Sequence, residues 1–301
     1  MSPLKRSHKL HSTPDISGGI YSQNFITDPQ LVRDLLNRTD ISVADIVVEI
    51  GAGKGIITQE LAKKCNHVLA VEIDDQLIPV LNQRLSAFSN VTVLNTDFLN
   101  VSLPTTNYKV FSNLPFNYTS RIMHKLFYGE HLPESAYLIM QKEAADIYLG
   151  LPRETQKSLL IKPIYTVEVF HKLRKHDFKP MPDVEIEMIA LKKQLQPMLS
   201  KKEYLEYKDF IVYATGRSKL TLKLNLNKLF TGEQFFRLSQ NLGFSKDVRP
   251  LDLSFDQWLR LFRYYQTGVV AEKKQLVHES FGRHLITQSK YKKMYRTRVK
   301  R

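Results

Sequence analysis

The chain has 301 residues, 43% of them hydrophobic, which is enough for one full α/β domain with a smaller companion. Its net charge of +14 and isoelectric point of about 9.6 point to a polyanionic partner, because cationic side chains gain from phosphate contacts and counterion release. The single cysteine, Cys65, excludes an intrachain disulfide and a multi-cysteine zinc site; no apolar run reaches a membrane span or resembles a secretory segment, so a cytoplasmic protein without a membrane partner is expected.

In chain order, residues 1–19 are polar and basic, end in Gly18-Gly19, and are expected to form a mobile arm. Thr27-Asp28-Pro29 starts a helix that carries Leu31, Val32, Leu35 and Leu36 on one face. Asp45–Ile50 is an apolar, β-branched run suited to a buried parallel strand, followed by a glycine-rich turn and a helix over Ile56–Lys64. Cys65 reads as a packing residue at that helix end. His67–Ile73, Val91–Leu94, Tyr108–Ser112 and Ser135–Gln141 read as further strands, and Asp74 and Asp75 as caps of the helix that follows. Alternation of strand and helix to about residue 150 predicts a mostly parallel sheet covered on both faces. Gly150-Leu151-Pro152-Arg153 is a break, and Tyr165–Leu173 and Val184–Leu191 are expected to form an antiparallel edge.

After Leu195 the composition changes. Lys201–Ala214, Gly232–Leu242 and Ser254–Tyr265 read as helices of a small α-helical domain. Most of their rings, among them Phe235, Phe236, Trp258, Phe262 and Tyr264, read as helical core. From Ser289 the tail crowds Lys290, Lys292, Lys293, Arg296, Arg298, Lys300 and Arg301 around Tyr291 and Tyr295, a composition that fits a solvated tail able to order on RNA. The expected organisation is an arm over 1–19, an α/β domain over 20–194, a helical domain over 195–288 and a basic tail over 289–301.

Four features carry chemistry. Gly51-Ala52-Gly53-Lys54-Gly55 lies between a strand and a helix, where Gly51 and Gly53 let a ligand approach the backbone. The Lys54 context lacks a phosphate-loop pattern, which argues against an NTPase. Glu72 ends the next strand about 20 residues after the first glycine, the place for an acid that meets ribose hydroxyls. Asp97 and Phe98 follow the third strand. Asn113-Leu114-Pro115-Phe116 follows the fourth. There the Asn113 side-chain carbonyl and the Leu114 carbonyl could accept the two N–H bonds of an adenine amine, with Phe116 stacked on an extruded base. Taken singly, each has a plainer reading, as a strand-end turn or a solvated loop carboxylate. The ordered series along one edge of a parallel sheet is harder to obtain by accident. The nine histidines show no paired metal-ligand spacing, and His171 and His176 read as contacts to solvent or RNA.

The order resembles that of S-adenosyl-L-methionine-dependent methyltransferases, and the detail resembles the Erm family of ribosomal RNA adenine-N6 methyltransferases. Ser22-Gln23-Asn24-Phe25-Ile26, Glu49–Gly55, Glu72-Ile73-Asp74, Asn95–Leu99, Asn113–Asn117, Gln141–Ala145 and Asp177–Val184 follow in that family's order over roughly residues 20–190. One departure is Ile186, where the family usually has Ser, which puts a substrate-side contact in doubt.

The resemblance implies a Rossmann-like class I methyltransferase sheet with a helical C-terminal domain and S-adenosyl-L-methionine as cofactor. The cofactor-binding set it implies is Asn24, Ile26, Gly51, Gly53, Glu72, Ile73, Asp97, Phe98 and Asn113. Asn24 and Ile26 would close the pocket, Glu72 would take the ribose, Ile73 would pack on the cofactor adenine, and Asp97 would accept from its amine beside Phe98. Asn113, Leu114 and Phe116 form the implied catalytic set. The implied substrate is 23S rRNA at the peptidyl transferase loop, before full subunit assembly. Its product would block macrolide, lincosamide and streptogramin B drugs. A monomer with no DNA partner is expected. Three alternatives stay open at this point: a small-subunit rRNA adenine dimethyltransferase, which more often has Tyr at the position of Phe116; a DNA adenine methyltransferase, which would favour Pro at Leu114; and a non-catalytic RNA-binding relative.

Overall fold

A computed structural model describes residues 24–216 and 220–287. The expected arm over 1–19, Gln23 and the tail from Ser289 lie outside the described residues.

The chain opens with β1 (Phe25–Ile26) and α1 (Pro29–Asn37), whose start is capped by the Asp28 carboxylate on the Gln30 N–H at 2.8 Å. Then β2 (Ile46–Ile50), α2 (Ile56–Ala62), β3 (His67–Glu72), α3 (Ile78–Leu85) and β4 (Val91–Asn95) alternate. A second run holds β5 (Lys109–Asn113), α4 (Thr119–Tyr128), β6 (Ser135–Gln141), α5 (Lys142–Leu149) and α6 (Gln156–Ile161), followed by β7 (Tyr165–Leu173), the short β8 (Phe178–Lys179) and β9 (Ile186–Lys193).

Seven strands form one sheet in the order β4-β3-β2-β5-β6-β9-β7. The five strands from β4 to β6 pair in parallel, and β9 runs antiparallel between β6 and β7. This is the mostly parallel α/β sheet with an antiparallel edge that the sequence predicts. Alternate residues of the buried strands feed two cores. Val47, Val68, Ala70, Phe111 and Met188 pack toward α1, α2 and α3. Val48, Val71, Val110, Leu138 and Ile189 pack toward Ile122, Met123 and Leu126 of α4. Burial on both faces explains why these strands read as continuous apolar runs. Cys65 is buried in the first core.

Two features depart from the sequence reading. β1 and β8 pair antiparallel, Phe25 with Lys179 and Ile26 with Phe178, and strap the chain's beginning to the segment before β9. Ile186 lies in the core, paired across the sheet with Gln141 and Leu173, so the departure from Ser falls on a packed position.

Beyond β9 the chain is helical: α7 (Lys201–Thr215), α8 (Leu222–Leu226), α9 (Gly232–Leu242), α10 (Phe255–Gly268), α11 (Ala271–Lys274) and a helical stretch over residues 280–287. A third core joins them, with Tyr207, Phe210, Phe235, Trp258, Phe262 and Tyr265 buried. Leu159 and Leu160 of α6 belong to this core, so the chain commits residues to the helical part well before residue 195. Phe235, Trp258 and Phe262 are core as expected, whereas Phe236 and Tyr264 face outward.

Candidate active site

Strand order reverses between β2 and β5, since β3 and β4 extend one way and β6 the other. Loops leave such a point in opposite directions and open a crevice at the carboxyl ends of the strands. The structure has a cleft there. Its walls are Ile50 and Gly51 from the end of β2, Val71 to Ile73 from β3, Thr96 to Leu99 after β4, and Asn113 to Phe116 after β5, with Tyr118 and Ile122 below and Asn24 and Phe25 across the mouth.

The glycine turn is built by backbone geometry. Gly51 and Gly53 have φ of +74° and +57°, a region that residues with a Cβ rarely adopt. Gly51 lines the cleft. Gly53 does not. A Cβ there would meet the Phe25 ring at 2.6 Å, and the Lys54 ammonium lies 5.6 Å from the same ring. The second glycine thus admits the β1 strap.

Glu72 holds this turn together. Its carboxylate accepts from the Gly53 N–H at 2.7 Å and from the Ile73 and Asp74 N–H groups at 2.8 Å each. The side chain is 2% exposed and still borders the cleft. Behind the turn sits Glu49, 1% exposed. Burial pushes its carboxyl up to about 8; the Thr58 hydroxyl beside it offsets part of that rise and the charge of Glu72 adds to it. The Thr58 hydroxyl stands outside strict hydrogen-bond geometry, and Glu49 Oε2 has no partner among the described residues.

Asp97 caps a single helical turn through the Leu99 N–H at 2.9 Å, which places its carboxylate at the cleft wall next to the buried Phe98 ring. Asp74 accepts from the Gln76 N–H at 3.0 Å within the turn ahead of α3, but neither Asp74 nor Asp75 caps the helix as expected: α3 is entered through Leu77 with no side-chain cap, because the helix starts two residues later than the sequence suggests.

The opposite wall is the turn after β5. The Leu114 N–H bonds the Ile139 carbonyl at 2.9 Å and its side chain is buried, so the turn is anchored to β6. The Pro115 carbonyl accepts the Tyr118 N–H at 2.9 Å. Asn113 donates through Nδ2 to the Asn24 carbonyl at 2.7 Å. That bond fixes the amide, and the amide oxygen, Oδ1, is buried and has no partner among the described residues. A buried acceptor without a donor is costly unless a ligand supplies one. Phe116 is half-buried at the cleft, and Arg121 lies 5.5 Å from the neighbouring Tyr118 ring.

Of the eleven positions singled out in the sequence, Asn24, Gly51, Glu72, Ile73, Asp97, Phe98, Asn113, Leu114 and Phe116 line this cleft. Ile26 does not: it is 3% exposed in the core beside α1 and pairs with Phe178. Phe25, its neighbour, takes the place at the mouth, because alternate residues of an extended strand face opposite sides. Sequence reasoning missed Phe25, Thr96, Leu99, Tyr118 and Ile122. Ile122 and Tyr118 carry no local signal, since only the packing of α4 brings them to the cleft. His171 meets Arg38, with 3.3 Å between Nδ1 and the guanidinium. Burial and that charge hold its pKa below the usual value. Among the described residues, no cluster of three or more His, Cys, Asp or Glu could hold a metal, and no helix is long and apolar enough to cross a membrane.

A reversal-point cleft with a glycine turn, acids at two successive strand ends and an apolar floor fits an adenosyl group, and the whole is a Rossmann-like methyltransferase fold. The crystal structure of the 23S rRNA methyltransferase ErmE matches it with a TM-score of 0.74 at 23% identity, covering 81% of this chain and all of that one. A dimethyladenosine transferase from Plasmodium falciparum gives 0.65 at 20% identity, covering 81% and 98%. These two likenesses are of fold. In sequence, a family profile described as ribosomal RNA adenine dimethylase matches residues 19–267. An rRNA adenine N-6-methyltransferase of Limosilactobacillus reuteri is 31% identical over 81% of this chain and 95% of its own length. A ribosomal RNA small subunit methyltransferase A of Mycoplasmopsis pulmonis is 29% identical over 80% and 96%. The chain belongs to the ribosomal RNA adenine dimethylase family and is an S-adenosyl-L-methionine-dependent rRNA adenine methyltransferase.

Proposed function

We propose that the chain methylates N6 of one adenine in the peptidyl transferase loop of 23S rRNA, acting in the cytoplasm as a monomer before the subunit is fully assembled, and that the product confers resistance to macrolide, lincosamide and streptogramin B antibiotics. The observation that carries the adenine chemistry is Asn113 Oδ1, buried at the cleft without a donor while its Nδ2 is held by Asn24. An adenine amine is a weak nucleophile because its lone pair is delocalised into the ring. Asn113 Oδ1 and the Leu114 carbonyl accept its two N–H bonds and localise that pair, and Phe116 stacks on the extruded base.

When bound, S-adenosyl-L-methionine supplies a methyl group already activated on a sulfonium. Glu72, Asp97, Ile73 and Phe98 all line the cleft: Glu72 would take its ribose, Asp97 would accept from its adenine amine, and Ile73 and Phe98 would pack on the faces of that ring. The protein's own work would be positioning: Asn113, Leu114 and Phe116 would hold the target amine facing the methyl group. The bond from sulfur to that methyl would break as the N–C bond forms, S-adenosylhomocysteine would leave, and the amine proton would pass to water. Residues 20–194 hold the cofactor, and residues 195–288 with the basic tail contact RNA.

The large-subunit reading is supported by Ala52-Gly53-Lys54-Gly55 and Phe116, where the chain follows the Erm pattern. A second reading, a small-subunit dimethyltransferase, is favoured by the relatives named ribosomal RNA small subunit methyltransferase A. Primer extension on both rRNAs from cells with and without the gene separates them. A new stop in the peptidyl transferase loop, with raised macrolide tolerance, is expected. A stop confined to small-subunit rRNA would overturn the large-subunit reading.

A further inference from the structure

Lys125 stands on α4, the helix that starts three residues after the base-holding turn, and its side chain runs across to the loop after β4. Its ammonium donates to the Leu99 carbonyl at 2.9 Å and to the Val101 carbonyl, and lies 5.1 Å from the Phe98 ring centre. The loop makes its own turn from Asp97, whose carbonyl takes the Asn100 N–H at 2.8 Å and whose carboxylate takes the Leu99 N–H. The Leu99 and Val101 carbonyls point away from that turn into a partly buried space where Lys125 reaches both. Burial holds its pKa below the usual value, and the charge of Asp97 works in the opposite direction. A cation is kept there at some desolvation cost, with two carbonyls, a ring face and a nearby carboxylate to offset it.

We infer that Lys125 is a positioning residue for the cofactor's adenine: it fixes the Asp97-Phe98-Leu99 loop against α4, and so ties the cofactor's adenosyl end to the helix that carries the turn for the target base. This rests on the cofactor reading above. Lys125 is absent from the cleft wall, so it acts through the loop. Removing the ammonium leaves two carbonyls without a donor and frees the loop to drift from the geometry that suits an adenine. The glycine turn at Gly51 to Gly55, held by Glu72, shares no hydrogen bond with Lys125 among the described residues and keeps its geometry.

The test is calorimetric titration of the full chain, wild type, Lys125→Met and Lys125→Arg, with S-adenosyl-L-methionine, S-adenosylhomocysteine and 5′-methylthioadenosine. Lys125→Met keeps the apolar stem, and Lys125→Arg can span two carbonyls. The expected result is a loss of about tenfold or more for Lys125→Met, equal for all three ligands because they share the adenosyl group. Lys125→Arg should recover most of it, and binding of an rRNA fragment should stay at the wild-type level. Equal affinities for wild type and Lys125→Met would overturn the inference. So would a loss confined to the ligands that carry an amino acid, or a Lys125→Arg variant as weak as Lys125→Met. Failure of the wild type to bind any of the three would instead remove the cofactor reading itself.

Discussion

The helices α7, α9 and α10 each begin with a reciprocal cap, Ser200 with Glu203, Thr231 with Gln234 and Ser254 with Gln257, and α8 is capped by Thr221. The helices that follow the sheet's ligand edge are different. α2, α4 and α5 start at Gly55, Tyr118 and Gln141 with no side-chain cap. The same edge holds the partnerless oxygens of Glu49 and Asn113 and the left-handed Gly51, Gly53 and Gly55. One half of the molecule gains stability from packing and from capped helix starts. The other forgoes such caps where a ligand is to be received. Variants in the first half should therefore cost stability and spare ligand affinity, and variants in the second should do the reverse.

The largest stability effect is expected from Phe210→Ala. Phe210 stacks on Tyr265 at 4.7 Å and meets Phe262 and Trp258 at 5.8 and 6.1 Å. Its truncation should cost about 3–5 kcal/mol, read as a lower midpoint of thermal unfolding. Calorimetry on the folded fraction should give unchanged cofactor affinity; a parallel drop would mean that the two halves cannot be separated.

Asn113→Ala should do the opposite. Removing an acceptor aimed at charge that develops during the reaction costs about 10²–10³ in rate, and the unfolding midpoint should stay close to wild type. Tritiated methyl transfer to an rRNA fragment reads the rate, and filter binding should show RNA affinity nearly unchanged, since phosphates supply most of it. Normal methylation by this variant would leave Asn113 a strand-end turn residue. Phe116→Ala should cost less, about 1–3 kcal/mol of stacking. Phe116→Tyr keeps the ring face and should retain most activity in the same assay. Equal loss in both would shift the weight from stacking to a packing role of the ring.

Much of the sheet is legible in the sequence because strands buried on both faces must be apolar runs and must end in turn residues. Ser135–Gln141 and Tyr165–Leu173 match to the residue. The last strand is expected over Val184–Leu191 and lies at Ile186–Lys193, because its register is set by pairing Ile186 with Gln141 and Leu173 across the sheet. α6 is missed: six residues are too few for periodicity, and its Leu159 and Leu160 declare their face only against the helical core. β1 and β8, two residues each, exist through a pairing some 150 residues apart. At the site, most of the residues that line the cleft are visible as a series along strand ends. The contacts that hold them are not. Glu72 grasping three backbone N–H groups depends on the path of the turn, and Lys125 reaching Leu99 depends on how α4 lies beside the turn that follows β4.

The cost stored at the ligand edge should vary with pH through Glu49. Glu49 has a carboxyl pushed up to about 8 in the folded chain from 4.5, mainly by burial. Between those values the folded state keeps a proton that the unfolded state has released. Stability must therefore fall as pH rises through this window, by up to about 1.4 kcal/mol per pH unit, and level off above it. Below 4.5 both states are protonated and Glu49 carries no such cost. Glu49→Gln keeps the shape and a polar end but cannot ionise. Its unfolding midpoint should match wild type near the acid end of the window and exceed it progressively toward pH 8. Chemical denaturation across that range measures the difference. A constant gap between the two proteins would show that Glu49 does not titrate there, and that the partnerless oxygen is carried as a charge at all these pH values.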